Sequence, residues 1–262
     1  SLAYVIMIIL IWIPMARRKS LAFLDVGQGD CFVADTKSGA IIFDGGSSSE
    51  DQVGRYRILP YMKYLGYQKI QIAVISHMDI DHYSGIKELL EMGKIKYLGL
   101  PEIPKDETMK KIIGIAKKRG TTIFYFSRGR QITTKDGSLK VLHPQKNSQM
   151  EKNAASLVMQ GKILGYRVLL TGDVEKEGEE ELLSEELERA DILKAAHHGS
   201  KNSTSNEFLQ KVQPKQTVIS CGKQNRYGHP HLETIHRLQT YHTKIYRTDR
   251  SGAIIFFKRR DG

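Results

Sequence analysis

Seven consecutive residues, Ser76-His77-Met78-Asp79-Ile80-Asp81-His82, constrain this chain more than any other stretch. The run Ile72-Ala73-Val74-Ile75 leads straight into them and reads as a buried strand, and Tyr83-Ser84-Gly85 starts a helix. Two imidazoles and two carboxylates, all able to bind divalent cations, therefore leave one strand end together. A turn between a strand and a helix lets alternate side chains converge on one point. Four such groups crowd one ion but divide well between two ions a few ångströms apart. A loop that only caps the helix needs Asp81 or His82, not the whole set.

The rest of the chain supplies the frame. Short β-rich runs such as Leu21–Asp25, Cys31–Thr36, Ala40–Phe43, Thr122–Phe126 and Arg167–Leu170 alternate with helical stretches such as Met109–Lys118, Glu175–Arg189 and Leu232–Tyr241. No internal repeat or low-complexity linker is visible, so 20–262 is expected to form one α/β domain. Hydrophobic residues at 40% and charged residues at 26% exclude a disordered chain. Two cysteines, Cys31 and Cys221, exclude a disulfide scaffold and a Cys-based zinc ribbon. Lysine and arginine outnumber aspartate and glutamate to give a net charge of +11, which favours a polyanionic partner, nucleic acid or an anionic membrane surface. The glycine-rich turn Gly27-Gln28-Gly29 leads into a strand rather than a helix, so no nucleotide cofactor is expected.

The first residues differ from everything after them. Leu2–Met15 is almost unbroken apolar sequence, followed by Arg17-Arg18-Lys19. The run falls short of the roughly 20 residues of a full membrane span. It reads as the end of a transmembrane helix with a basic flank, 1–19, which would attach the domain to a membrane as part of a longer polytopic protein.

His77-x-Asp79-x-Asp81-His82 resembles the H-x-H-x-D-H signature of the metallo-β-lactamase fold, with Asp79 in place of the second His. Phe43-Asp44-Gly45-Gly46, Leu170-Thr171-Gly172-Asp173 and His197-His198-Gly199-Ser200 follow in the order of that fold's other motifs. Together with Phe23-Leu24-Asp25-Val26-Gly27-Gln28-Gly29-Asp30, Leu193-Lys194-Ala195-Ala196 and Asn225-Arg226-Tyr227-Gly228-His229-Pro230, they resemble the C-terminal domain of the ComEC family of DNA-uptake competence proteins. The resemblance implies a four-layer αββα sandwich with two mixed sheets and a metal cleft at one edge. It implies a metal-dependent DNA phosphodiesterase that degrades the non-transported strand, with two divalent ions, Mn or Zn, as cofactors. A non-catalytic DNA-guiding domain, or a hydrolase of another ester, is the alternative.

The resemblance assigns roles residue by residue. His77 and Asp79 match the first metal site; Asp81 and His82 match the second; Asp173 bridges both. His198 completes the second site, with His197 as the other candidate. Asn153 or Ser156 stands where relatives place a further first-site His, leaving that site oxygen-rich and Mn²⁺ a serious competitor of Zn²⁺. His143 could replace the missing ligand or hydrogen-bond a turn. Asp44 is expected behind the ligands, orienting them. Gln28 and Asp30 either face the cleft or stabilise their turn. Asp81, Asp173 and His229 are the catalytic candidates, with His229 alternatively holding its loop. Lys194 meets a substrate phosphate or pairs with a carboxylate. Lys201 and Arg226, and further Lys211, Lys215, Lys223 and Lys258-Arg259-Arg260, are candidates to track a DNA backbone.

Overall fold

The computed structural model describes residues 18–259, apart from 151 and 186. The apolar run Leu2–Met15 and Arg260 lie outside the described residues, and with them the expected membrane segment. Among the described residues no helix is long and apolar enough to cross a membrane.

Period-two alternation along the strands creates the layers. In β1 (Ser20–Phe23), β2 (Phe32–Thr36) and β3 (Gly39–Phe43), the side chains of Leu21, Phe23, Phe32, Ala34, Ile41 and Phe43 join one core. Their neighbours Ala22, Val33, Ala40 and Ile42 face the other way into a second core. The first of these cores also takes Leu139 and Val141 from β8 (Gly137–His143), Met159 from β9 (Val158–Ile163), and Val168 and Leu170 from β10 (Tyr166–Leu170), so it fills the space between two sheets. The second is closed by α1 (Leu59–Tyr64), α2 (Ile80–Glu91) and α3 (Glu107–Lys118). Ile86, Leu89 and Leu90 of α2 and Met109, Ile112 and Ala116 of α3 recur at the helical spacing that makes one apolar face. A third core lies outside the other sheet, under α4 (Lys176–Leu183), α5 (Asn206–Val212) and α6 (Leu232–Thr240). Three cores between four layers make the αββα sandwich that the sequence motifs imply.

Among the described residues both sheets have seven strands. With β4 (Ile70–Val74), β5 (Ile95–Pro101), β6 (Thr122–Phe126) and β14 (Ile254–Phe257), the first runs β14-β1-β2-β3-β4-β5-β6. With β7 (Gln131–Thr134), β11 (Ile192–Lys194), β12 (Gln216–Ile219) and β13 (Lys244–Arg247), the second runs β13-β12-β11-β10-β9-β8-β7. Antiparallel pairing from β14 to β3 gives way to parallel pairing from β3 to β6. The second sheet repeats this pattern, antiparallel from β7 to β10 and parallel from β10 to β13. Every parallel step is crossed by one helix, α1 to α3 on one side and α4 to α6 on the other, because parallel strands need a long return connection. The two sheets thus share one pattern of pairing although no sequence repeat betrays it, and they differ in that the first takes its edge strand β14 from the far end of the chain.

The structure adds strands that hydrophobic patterning does not reveal. β7 and β13 are sheet edges with the polar sequences QITT and KIYR, as edge strands need if they are to resist further pairing. β5 is interrupted in sequence by Gly99, where a Cβ would meet the Phe126 ring at 2.5 Å. The acidic helix expected over Glu175–Arg189 ends at Leu183. The Lys211 ammonium takes the carbonyls of Leu183 and Glu185, each at 2.9 Å, and beyond them Leu187 and Ala190 turn into the third core.

Candidate metal centre

The ends of β3, β4, β10, β11 and β12 meet where each sheet changes from antiparallel to parallel, a place where loops diverge and leave a crevice. β3 ends in Asp44, which adopts the left-handed φ of 57°. A non-glycine residue tolerates that conformation only where its surroundings fix it. Here they do. One Asp44 oxygen accepts from the Ser76 backbone N–H at 2.7 Å, and the other accepts from His82 Nδ1 at 2.9 Å. Gly45 N–H reaches the His82 carbonyl at 2.8 Å, and a Cβ on Gly46 would lie 2.5 Å from the Ile80 carbonyl. The Asp44-Gly45-Gly46 turn therefore packs against the first turn of α2 and aims His82 from behind.

His198 is aimed in the same way from the second sheet. His197 and His198 both have left-handed φ values, 47° and 52°, ahead of Gly199 at 84°. This turn presents His198 Nδ1 to the Ser220 carbonyl at 2.8 Å, at the end of β12. A carbonyl can only accept, so Nδ1 carries the hydrogen and Nε2 points into the crevice. The Asp44 carboxylate imposes the same tautomer on His82. His77 Nδ1 meets the Ser76 hydroxyl at 3.0 Å, leaving its Nε2 on the crevice side.

The Nε2 atoms of His77, His82 and His198 are buried and have no hydrogen-bond partner. Carboxylates lie near each of them: Asp79 3.7 Å from His77, Asp173 3.2 Å from His82, and Asp81 3.2 Å and Asp173 3.4 Å from His198. Asp30, His82, Asp173 and His198 each offer a ligand atom within 4.8 Å of the others. Unpartnered buried imidazole nitrogens converging on carboxylate oxygens are the donor set that a divalent cation takes, so the residues fit such an ion.

Electrostatics tie the cluster together. Burial disfavours a charged His198, but Asp173 and Asp30 outweigh it and push the ring up to about 10. His82 is raised well above its ordinary value, against burial, by Asp173 and Asp44. Asp81 is brought down to about 2: burial opposes the shift, and His198 and His82 overcome it. Lys194 is buried in the same centre. Its ammonium pairs with Asp30, donates to the Gly172 carbonyl at 3.0 Å and stands 3.5 Å from Asp173 Oδ1. Asp173 Oδ2 is left to face the histidines.

The sequence candidates separate accordingly. Asp81, His82, Asp173 and His198 come together; His77 stands beside His82, with ring centroids 4.1 Å apart, and Asp79 lies 3.7 Å from His77. His197 lies further off, with Nε2 3.8 Å from Asp173 and Nδ1 held 2.9 Å from Glu175. Ser156 Oγ accepts from the Asp173 N–H at 3.3 Å, and buried Asn153 Oδ1 has no hydrogen-bond partner. Asp30, expected to face the cleft or to stabilise its turn, stands among the ligands. Gln28 ties its own loop to the loop after β12 through Gly222 N–H at 3.1 Å. Lys194 is ion-paired with carboxylates and is not open to a phosphate. His143 hydrogen-bonds the Ala154 carbonyl at 2.7 Å and sits 3.1 Å from Glu181, which makes it a loop anchor. His229 is at the rim, its ring 5.4 Å from His197 and 6.2 Å from His198. Lys201 and Arg226 are exposed beside the crevice. Lys215 and Arg259 pair instead with Asp191, and Lys258 with Asp136, while Lys211 caps α4, so these four bind the protein itself. Two contributors have no sequence signal: the Ser220 carbonyl, and Glu175 behind His197.

Replacing Asp44 by alanine should leave His82 free to rotate. Loss of such an outer hydrogen bond costs about 10- to 100-fold in metal affinity. Calorimetric titration of metal-free protein with Mn²⁺ checks this, and an unchanged affinity would contradict the role given to Asp44.

A family model described as Metallo-beta-lactamase superfamily matches residues 24–223. The chain is 35% identical over 278 residues to ComE operon protein 3 of Bacillus subtilis, covering 98% of this chain and 35% of that protein. It is 29% identical to Competence protein ComA of Neisseria gonorrhoeae, covering 91% of this chain and 32% of that one. The chain thus spans about a third of the length of the curated relatives it matches. Among solved structures, the metallo-beta-lactamase fold protein YhfI from Bacillus subtilis is similar with a TM-score of 0.59 and 12% identity, over 90% of this chain and 99% of that one, a likeness of fold.

Proposed function

The chain belongs to the metallo-β-lactamase superfamily, and from that premise we propose that it is a metal-dependent phosphodiesterase that cuts DNA. The observation that carries this reading is the convergence of the unpartnered imidazole nitrogens of His82 and His198 on Asp81 and Asp173, with the unpartnered His77 nitrogen beside His82, in a basic protein. His77 and Asp79 would hold one ion, and Asp81, His82 and His198 the other, with Asp173 between. Five carboxylates, those of Asp30, Asp44, Asp79, Asp81 and Asp173, and one ammonium, that of Lys194, surround the histidines; with neutral histidines the four negative charges left over match two divalent cations. Bound there, such ions supply polarisation of a phosphoryl oxygen and water acidified towards neutral pH.

The chain's own groups do the positioning. Asp44 and the Ser220 carbonyl fix the two imidazoles, and Lys194 fixes Asp30 and Asp173. His229 is held down at about 4 by burial and by the neighbouring His198 and His197. Its neutral ring at the rim, with Nδ1 unpartnered, can accept a hydrogen bond from an attacking water and orient it. Lys201 and Arg226 offer cations to the backbone phosphates without reading bases. By similarity to the competence proteins, the activity belongs to DNA uptake, where it would remove the non-transported strand at the membrane surface.

The test is cleavage of end-labelled DNA by metal-free protein resupplied with single ions. Asp79 replaces a nitrogen donor, and neither Asn153 nor Ser156 supplies the imidazole that relatives place there, so the first site loses more affinity for Zn²⁺ than for Mn²⁺. Activity should be highest with Mn²⁺ and fall with excess Zn²⁺, and Asp79→His should shift the preference towards Zn²⁺. No cleavage with any ion would overturn the proposed function. Full activity with Zn²⁺ and no gain from Mn²⁺ would overturn the metal preference.

A further inference from the structure

The loop between β12 and α6 carries an aromatic stack that neither the fold nor the metal centre requires. Tyr227 lies nearly flat against His229, with ring centroids 5.7 Å apart and planes 20° apart. His229 is in turn stacked towards His198 at 6.2 Å and 30°. The stack therefore runs from a residue facing the metal centre out to solvent, where Tyr227 is 42% exposed. Arg226 places its guanidinium 4.8 Å from the Tyr227 ring centre and donates to the phenol oxygen at 2.6 Å.

The loop is built to hold this ring still. The Asn225 side chain accepts from His229 N–H at 2.9 Å and donates to the carbonyls of Gly222 and His229 at 2.9 and 2.6 Å. Gly228 takes the left-handed φ of 69° that lets the chain turn between Tyr227 and His229. At its two ends the loop is tethered through Gly222 to Gln28 and through His231 N–H to the Gly199 carbonyl at 3.0 Å. A large exposed aromatic ring, rigidly held beside a cation at the mouth of a phosphate-cutting site, matches the chemistry of an unpaired base and its backbone. Every base offers a π-face once it leaves the duplex, and an arginine beside the ring adds a cation for the phosphate.

We propose that Tyr227, backed by His229 and flanked by Arg226, is a stacking platform for an unpaired nucleobase next to the phosphodiester being cut. The proposal deepens the phosphodiesterase reading and rests on it. Bases inside a duplex have both faces covered by their neighbours, so the platform selects single-stranded or frayed DNA.

The experiment uses the full chain loaded with Mn²⁺ and two end-labelled single strands of equal length. One is complete, and the other carries abasic residues around the cleaved linkage. Stacking on one aromatic side chain corresponds to about a tenfold gain, so the complete strand should be cut with about tenfold higher kcat/KM. That ratio should collapse towards one in Tyr227→Ala and persist in Tyr227→Trp. Equal cutting of the two strands by the unaltered protein overturns the platform and leaves the nuclease reading standing; this comparison needs no variant to fold. If no ion supports cleavage, the nuclease reading fails, and a strand containing 2-aminopurine decides the platform alone. Fluorescence quenching that Tyr227→Ala abolishes supports stacking, and no quenching overturns it.

Discussion

Asp173→Ala should lower kcat/KM for the proposed DNA cleavage by at least about a thousandfold and leave the sandwich folded. Asp173 Oδ2 lies within 3.8 Å of His82, His198 and His197, and Oδ1 stands 3.5 Å from Lys194, so one carboxylate joins ligands carried by both sheets. Loss of an outer hydrogen bond already costs about 10- to 100-fold in metal affinity or activity, and loss of a central ligand shared by two ions costs more. The variant should also retain less metal after dialysis. Lys194 keeps Asp30 as its partner, so no buried ammonium is stranded, and the far-ultraviolet circular dichroism should stay unchanged. Cleavage within tenfold of the unaltered protein, at full metal loading, would remove Asp173 from the centre.

Metal affinity should rise by about two orders of magnitude per pH unit between pH 6 and 8. In the metal-free chain His198 holds its proton up to about 10 and His82 well above its ordinary value, because both rings face carboxylates. An ion must displace both protons to reach the Nε2 atoms, so two protons are released per loading event and the affinity varies as the inverse square of the proton concentration. Calorimetry in buffers of different ionisation enthalpy counts them directly. The sign for stability is opposite. A ring raised from 6.5 to about 10 stabilises the metal-free fold fully below pH 6.5, and that contribution is lost as pH rises towards 10. The metal-free protein should therefore lose thermal stability on going from pH 6.5 to 9, while the loaded protein does not. Affinity independent of pH across this range would show that the rings are neutral before the ion arrives.

These expectations draw on two different kinds of information. The cluster His77 to His82 is local: strand, turn and helix follow one another within a few residues, so hydrophobic patterning and ligand chemistry suffice to place it. Asp44 at the end of β3, Asp173 at the end of β10 and His198 at the end of β11 also follow apolar runs, but it was their resemblance to the metallo-β-lactamase motifs that joined them to the cluster. Those residues and the layered α/β architecture were legible in the amino-acid sequence. The polar edge strands β7 and β13 were not, because QITT and KIYR carry no core-facing pattern and become strands only by pairing with a neighbour. Nor was the shared pairing pattern of the two sheets, which depends on pairing order and not on residue identity.

What each charged group does was decided only by tertiary structure. Lysine on a strand leading to a metal site can serve a phosphate or a carboxylate. Asp30, more than 160 residues earlier in the chain, settles the matter by reaching the Lys194 ammonium across the two sheets. The imidazole tautomer of His198 depends on a backbone carbonyl of Ser220, and any residue at that position would supply the same atom. The basic residues Lys215, Lys258 and Arg259 look like a nucleic-acid track in sequence, yet folding sets each against an aspartate. Sequence determines which chemistry is available, because donor types and strand ends are written locally. Distance determines which of it is used, because a charge acts through whatever lies within a few ångströms, and those neighbours come from remote parts of the chain.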